Sequence, residues 1–375
     1  MIITSLQIEN FRNLKSVRAD FSKGVNIITG ENAQGKTNLL EAIYLLVTGR
    51  SFRAQSDKEL IPWNRDDYEA TIIRATVIKT SGEEKFLVTF NQTQKHIAVN
   101  GESITRLGDL IGRINAVLFT PDDLNLVRGT PGERRRFMDI FLCQVSQQYL
   151  YHLQNYLGAL RQRNALLKVQ ARRANLSAEL EPYSLQLAQN AWLIVRMRSE
   201  LLNELAGLVS QSYAAIASNH EDVKLRYKPS IAMSGDAGNQ AEWEAAFVKR
   251  LADSAEEDAK RGSTSAGPHR DEFEFVLAGR SARDFGSQGQ QRSCVLALKL
   301  AELKHMTTCV GSQPILMLDD LASELDENRR RAFLSEIEGC EQVFITGTEA
   351  QPLVSGQKPA TVFFMRDGNL LTSQP

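Results

Sequence analysis

Val25-Asn26-Ile27-Ile28-Thr29-Gly30-Glu31-Asn32-Ala33-Gln34-Gly35-Lys36-Thr37 reads as an apolar strand, a glycine-bounded loop and the first residues of a helix. Gly30-x4-Gly35-Lys36-Thr37 fits the phosphate-binding loop pattern, and it stands in the strand–helix context that gives the pattern physical meaning. Loop and helix-start N–H groups can point inward at an anion, and the helix dipole favours one. Lys36 is placed to reach the β- and γ-phosphates of a nucleotide, and the Thr37 hydroxyl to ligate Mg²⁺. An accidental glycine turn before an ordinary helix is the competing reading. The preceding strand and the periodic Leu39, Leu40, Ile43 and Leu46 weigh against it.

Around this stretch lie 375 residues, enough for two or three domains, with 42% hydrophobic and 24% charged composition. No apolar run reaches the roughly 18 residues that suggest a membrane span, and residues 1–8 lack a basic segment followed by a long apolar one. Cys143, Cys294, Cys309 and Cys340 are too scattered for a zinc site or a disulfide framework, so a cytoplasmic protein with reduced thiols is expected. Net charge is −1, yet Arg128–Arg173 holds nine basic residues against Glu133 and Asp139. Such a local excess suggests a surface facing a polyanion, with a solvated helix face as the alternative.

Alternation predicts strands at 2–9 and 11–21, then at 70–79, 84–91 and 96–99, with turns at Ser81-Gly82 and Asn100-Gly101. A further apolar strand at 114–119 ends at Thr120-Pro121-Asp122-Asp123. Helical periodicity covers 133–170 and 183–218, and the polar link 175–182 suggests an antiparallel pair of arms, each at most about 50 Å long. An acidic helical stretch at 241–261, a strand at 272–277 and a helix over 290–305 follow. A helix near 327–337 and strands at 342–346, 361–365 and 369–372 complete the reading.

Two further signals carry chemistry. Ile315–Leu318 is a continuous apolar run, as in a central parallel strand, and it ends in Asp319-Asp320. Asp319 is the candidate Mg²⁺ ligand, and Asp320 the candidate for orienting or deprotonating an attacking water. Phe285-Gly286-Ser287-Gln288-Gly289-Gln290-Gln291 precedes a helix and offers a second anion-binding surface, or simply a capped helix start.

Ser287–Gln290, about 30 residues before Asp319-Asp320, is similar to the signature motif of ABC-type ATPases, and Ser323-Glu324-Leu325-Asp326 resembles the loop after their acidic strand. Within that superfamily the chain resembles the RecF family of bacterial recombination-repair ATPases, relatives of the SMC-type chromosome-organising proteins. The likeness runs in order through Ile8–Asn13, Gly30–Thr37, Pro121–Leu124, Gly129–Pro131, Arg134–Asp139, Gly267–Asp271, Ser287–Gln291 and Leu316–Asp326. It implies an α/β fold: an ABC-type P-loop ATPase head, with a mixed sheet plus an antiparallel β region, and an inserted α-helical lobe. The head would be assembled from residues 1–120 and 262–375, and the insert would be 121–261.

The resemblance also implies ATP and Mg²⁺, with Gly30, Glu31, Asn32, Ala33, Gln34, Gly35, Lys36, Thr37, Asn38 and Arg12 around the nucleotide. Ser287, Gly289 and Gln290 would meet the γ-phosphate of a second subunit in a head-to-tail, ATP-dependent homodimer. Most such ATPases have Glu where Asp320 stands, which predicts slow hydrolysis. Thr120–Asp123 replaces the usual inter-lobe glutamine, and Thr346 stands where many transporters carry a switch histidine. Implied partners are double-stranded and gapped DNA, RecR and RecO, and functionally RecA and single-strand-binding protein, with no membrane. Arg134, Arg135, Arg136, Arg161, Arg163, Arg172 and Arg173 are the candidate DNA contacts; internal pairing with the acidic 241–258 stretch is the alternative for Arg134–Arg136. Gly267–Arg270 has no assigned role. A DNA-bridging head that seldom hydrolyses ATP and a transporter's nucleotide-binding subunit are the rival functions; the basic insert and the strand-rich 70–99 region oppose the second.

Overall fold

Apolar residues on both faces of 315–318 and 342–347 demand cover on both sides, and that is how the strands lie. The computed structural model describes residues 1–62, 70–169, 176–217, 221–232, 239–320, 325–350 and 360–372. Two compact units emerge: Met1–Asp123 with Ala214–Ser218 and Leu296–Pro375, and Leu124–Tyr213 with Asn219–Val295.

The first unit contains two six-stranded sheets. One is antiparallel: β1 (Ile2–Phe11), β2 (Leu14–Asp20), β4 (Thr71–Lys79), β5 (Gly82–Phe90), β6 (Lys95–Val99) and β7 (Glu102–Ser103), in the order β2-β1-β4-β5-β6-β7. The other sets β3 (Gly24–Thr29), β8 (Ala116–Phe119), β12 (Ile315–Leu318), β13 (Gln342–Gly347), β14 (Ala360–Arg366) and β15 (Asn369–Leu371) in the order β15-β14-β3-β13-β12-β8. All its pairings are parallel except β14–β15. The helix after the glycine loop, α1 (Lys36–Thr48), is buried almost all round, as befits a helix without a polar face. Leu39, Ile43 and Leu46 share one core with Ile8, Ile73 and Val88 of the antiparallel sheet and with Ile28, Met317 and Phe344 of the parallel one.

In the second unit, α2 (Asn125–Arg128), α3 (Pro131–Val145), α4 (Gln147–Val169), α5 (Leu176–Ile216), α6 (Gln240–Asp253) and α7 (Ala255–Arg261) accompany a small sheet. That sheet has the order β11-β10-β9, from β9 (Val223–Lys228), β10 (Glu272–Leu277) and β11 (Arg280–Ser281). Thr130 and Glu133 form a capping box that starts α3, with Pro131 in its first turn. The expected polar link is largely helical: α5 begins at Leu176 and carries Pro182 inside it. Leu180 is buried with Leu167, Ala255 and Ala259, and this packing outweighs the backbone hydrogen bond lost at the proline. At 41 residues α5 is about 60 Å long, beyond the expected limit.

After the short α8 (Ala282–Phe285), α9 (Gln288–Val310) runs to the end of the second unit and into the first. The crossing falls at Val295–Leu296, well past the expected 261–262 boundary, because β10 pairs along its whole length with β9, a strand absent from the sequence reading. In the first unit, α10 (Glu327–Glu336) follows β12, and Phe333 stacks edge-on against Phe119 at a centroid distance of 5.0 Å.

Candidate functional site

β3 lies between β13 and β14, so the glycine loop leaves the middle of the parallel sheet at its carboxyl end. Gly30 has φ +150°, and a Cβ there would sit 2.3 Å from the Met365 carbonyl oxygen. Gly35 (φ +115°) and Ala33 (φ +65°) are also in positive-φ conformations, so the loop doubles back before α1 begins. Its outer side is braced. Asn13 Nδ2 donates to the Ala33 carbonyl (3.2 Å), and Asn38 Nδ2 donates to Asn13 Oδ1 (2.8 Å). Gly368 N donates to the Gln34 carbonyl (3.2 Å), and Asp367 N to Gln34 Oε1. The Gln34 and Asn38 side chains therefore hold the loop's shape, while Glu31 and Asn32 are exposed at its tip.

The Lys36 ammonium is buried and donates to the Gly30 and Glu31 carbonyls at 2.6 and 2.8 Å. Burial lowers its pKa, and the Asp320 and Asp319 carboxylates pull it back up. Thr37 Oγ1 donates to Asp319 Oδ1 and Oδ2 at 2.8 and 3.0 Å, so the loop and the β12 carboxylate, far apart in sequence, meet. Asp319 is 8% exposed, and burial raises its pKa against the hydrogen bonds from Thr346 and Thr37. A hydroxyl and a carboxylate oxygen 2.8 Å apart are hard ligands that suit Mg²⁺, which takes one or two protein groups and completes its shell with phosphate oxygens and water. Thr37 and Asp319 would hold that ion, which would supply charge neutralisation at the phosphates. Among the described residues no group of three or more His, Cys, Asp or Glu forms a separate all-protein metal cage.

Asp320 turns away from the strand in a left-handed conformation (φ +48°). Its N–H donates to Thr346 Oγ1 at 2.9 Å, and the same hydroxyl donates to Asp319 Oδ1 at 2.8 Å. At the end of neighbouring β8, Asp123 accepts from Thr120 N (2.6 Å); burial raises the Asp123 pKa against the pull of Lys299. Asp122 is exposed, so of the two carboxylates replacing the expected glutamine, Asp123 closes a local turn.

Arg12 is more constrained than the sequence reading placed it. Its guanidinium forms a two-pronged pair with Glu41, which is fully buried on α1, and Nη1 donates to the Glu59 carbonyl at 3.3 Å. Ser51 Oγ donates to the same carboxylate. Asn13, Glu41 and Ser51 were all missed; a lone glutamate among the apolar residues of α1 was the available signal.

In the second unit, Ser287 N donates to Gln290 Oε1 (2.7 Å) and Gln290 N donates to Ser287 Oγ (3.2 Å), a reciprocal cap at the start of α9. Gln290 Nε2 donates to both Glu221 oxygens at 2.8 and 2.9 Å. Gln290 is thus committed to holding the segment, whereas Ser287 is exposed and Gly289 half-buried. A hydroxyl that accepts a cap bond can still donate its proton.

The model of the RecF/RecN/SMC N terminal domain matches residues 2–370. The chain belongs to that family. The "DNA replication and repair protein RecF" of Symbiobacterium thermophilum is 40% identical over 374 residues, covering 99% of this chain and 98% of the relative. A solved structure of the recombination mediator protein RecF-ATP in the RecFOR pathway superposes with a TM-score of 0.89 at 33% identity, covering 98% of this chain and 96% of that one. An Smc head bound to the C-winged helix domain of ScpA has a TM-score of 0.58 at 16% identity, covering 99% and 96%, which shows a shared fold. The expected fold class stands: an ABC-type ATPase head with long helices.

Family membership does not make every basic residue a DNA contact, and burial corrects part of the candidate list. Arg134 is 2% exposed, bonded to Glu272 and to the Leu126 and Gly129 carbonyls. Arg163 is fully buried and donates to Asp258 (2.9 Å), Thr264 (2.7 Å) and the Leu251 carbonyl. Both lie on the inward stripes of their helices, with Phe137 and Phe141 or with Tyr156, Leu160 and Leu167. Arg135 is half-buried and donates to the Asp271 carbonyl (2.8 Å). Arg136 and Arg161 are exposed, and Arg172 and Arg173, like Ser323 and Glu324, lie outside the described residues.

The Gly267–Asp271 segment gains a physical role here. Buried Arg198 donates to the Pro268 carbonyl (2.7 Å), Asp271 (3.2 Å), Asp139 (2.7 Å) and Tyr149 (3.0 Å). Asp271 also accepts from Tyr227 and from Ser230 N. His269 bridges Tyr156 Oη (2.6 Å) and the Thr264 carbonyl (3.0 Å), and burial pushes its pKa down to about 4.

Proposed function

We propose that this chain is an ATP-switched, DNA-binding ATPase of recombinational repair, working in the cytoplasm. The observation that carries the reading is the convergence of Lys36, Thr37 and Asp319 at the carboxyl edge of the parallel sheet. Full-length likeness to RecF proteins, one of them described with ATP, gives that corner its nucleotide. Mg²⁺ bound by Thr37 and Asp319 would neutralise the phosphates while Lys36 exchanges its carbonyl partners for phosphate oxygens. Asp320 then orients the attacking water. Its side chain is one methylene shorter than glutamate, which supports slow hydrolysis that DNA stimulates weakly.

In this reading a second subunit's Ser287 and Gly289 close over the γ-phosphate, and head-to-tail dimerisation is the output of ATP binding. The dimer holds duplex DNA near single-strand gaps and, with RecR and RecO, promotes loading of RecA in place of single-strand-binding protein. Arg136 and Arg161 are its DNA contacts among the described arginines, since both remain open to solvent. Among the described residues no helix is long and apolar enough to cross a membrane.

The test compares oligomeric state and duplex affinity with ATP, without it, and in Lys36→Met and Ser287→Arg variants. ATP should promote dimers and DNA binding in the wild type, and neither variant should respond. Dimerisation and DNA binding that ignore both nucleotide and the substitutions would sink the switch.

A further inference from the structure

We infer that Thr346 is a positioning residue for ATP hydrolysis, through one buried hydroxyl that sets the metal-binding and the water-orienting carboxylates together. This rests on the ATPase reading above. Thr346 is completely buried near the end of β13, next to β12 in the parallel sheet. Its single hydroxyl proton goes to Asp319 Oδ1 at 2.8 Å, in preference to the Leu318 carbonyl at 3.5 Å. Its lone pair takes the Asp320 N–H at 2.9 Å. One side chain therefore touches both members of the acidic pair, by opposite halves of its hydrogen-bonding capacity.

Two consequences follow. Asp319 Oδ1 accepts from both Thr37 (2.8 Å) and Thr346 (2.8 Å), whereas among the described residues Oδ2 has the longer Thr37 contact at 3.0 Å. The carboxylate is thereby held in one rotamer, with Oδ2 the less committed oxygen for a hard cation. Asp320, meanwhile, has a left-handed backbone, a conformation that few residues other than glycine, asparagine and aspartate adopt. The Thr346 hydroxyl accepts the Asp320 N–H, and so helps to fix where the Asp320 side chain starts. The position that the sequence reading likened to a switch histidine acts here on the carboxylates.

Outer partners of metal-ligating carboxylates are typically worth 10–100-fold in metal affinity or activity. Thr346→Val keeps the shape and removes both bonds; Thr346→Ser keeps the hydroxyl. In Thr346→Val, the Mg²⁺ concentration that half-saturates the tightening of a fluorescent ATP analogue should rise about 10–100-fold, and kcat should fall by a similar factor with little change in KM. Affinity for the analogue in EDTA should not move, and Thr346→Ser should restore both parameters. An unshifted magnesium requirement, or a Ser variant as defective as Val, overturns the inference. Hydrogen exchange on the wild type, free of metal and nucleotide, gives an independent reading should Thr346→Val fail to fold. The Asp320 amide should be protected, and exchange at the rate of an open loop overturns the inference. Absence of ATP binding by the wild type sinks the ATPase reading and this inference with it. Intact binding with an unshifted magnesium requirement sinks the inference alone.

Discussion

Charged side chains are used in opposite ways at the glycine loop and among the arginines of the helical unit. At the glycine loop, Lys36 is held by two neutral carbonyls and Asp319 by the Thr37 hydroxyl, partners that a phosphate and a cation can replace. In the helical unit, Arg198, Arg163 and Arg134 are themselves buried and bonded to carboxylates and backbone carbonyls. Replaceable partners make a site; permanent ones make a core. A charged residue's sequence neighbours do not distinguish the two, but its burial and the identity of its partners do.

The sharpest way to break this contrast is Arg198→Met. Asp139 and Asp271 would lose their shared cation, and removing one member of a buried ionic network costs about 3–5 kcal/mol. Urea denaturation should show that loss, and one below about 1 kcal/mol would mean that solvent reaches the network. His269 supplies the next effect. Its folded pKa of about 4 lies below the unfolded value of 6.5, so the unfolded state takes up the proton first as pH falls. The associated stability is complete above pH 6.5 and is lost progressively down to pH 4, amounting to about 3 kcal/mol. His269→Gln should flatten that part of the stability profile, and an unchanged profile would assign the acid sensitivity elsewhere.

At the loop the expected loss is in binding. Lys36→Ala should weaken ATP by about 10–100-fold, the worth of a charged hydrogen bond of about 1.5–3 kcal/mol. Its unfolding midpoint should stay near that of the wild type, because only carbonyl partners are given up; a large drop would put Lys36 with the locked set. The smallest effects belong to the open arginines. Arg136→Ala and Arg161→Ala should each change stability by no more than about 0.5 kcal/mol. Each should also lower the slope of log affinity for duplex DNA against log salt by about one. Unchanged slopes would move the DNA surface away from α3 and α4.

The loop, its helix and the carboxylate strand were legible because backbone requirements write themselves into sequence: glycines where φ is positive, apolar runs where both faces are covered. Arg134 and Arg163 stand among the candidate DNA contacts because a run of basic residues was weighed by net charge, with internal pairing left open for Arg134. Their spacing with Phe137 and Phe141, or with Tyr156, Leu160 and Leu167, was there to be used and places them inward. β9 escaped notice because its exposed positions carry Lys224, Arg226 and Lys228, which weaken the strand pattern until its partner β10 is known. Pro182 reads as the end of a polar link, whereas it lies inside α5, where Leu180 is buried against Leu167, Ala255 and Ala259. Arg12 shows a subtler limit: a motif can name a residue and a lone glutamate can stand out on a helix, but that the two pair is visible only in space.

The strand order of the parallel sheet has a consequence for how the protein is made. β3 is synthesised almost at once, yet it lies between β13 and β14, with Gly24 opposite Gln342 and Val25 opposite Ala360. At about 5–20 residues per second, a ribosome takes roughly 20 s to over a minute to supply those neighbours. Until then β3 lacks both of its neighbours in the parallel sheet, and Gln34 has no Gly368 against it. A nascent product cut short before β13 would carry the whole loop motif without the two strands that flank β3 in the finished sheet.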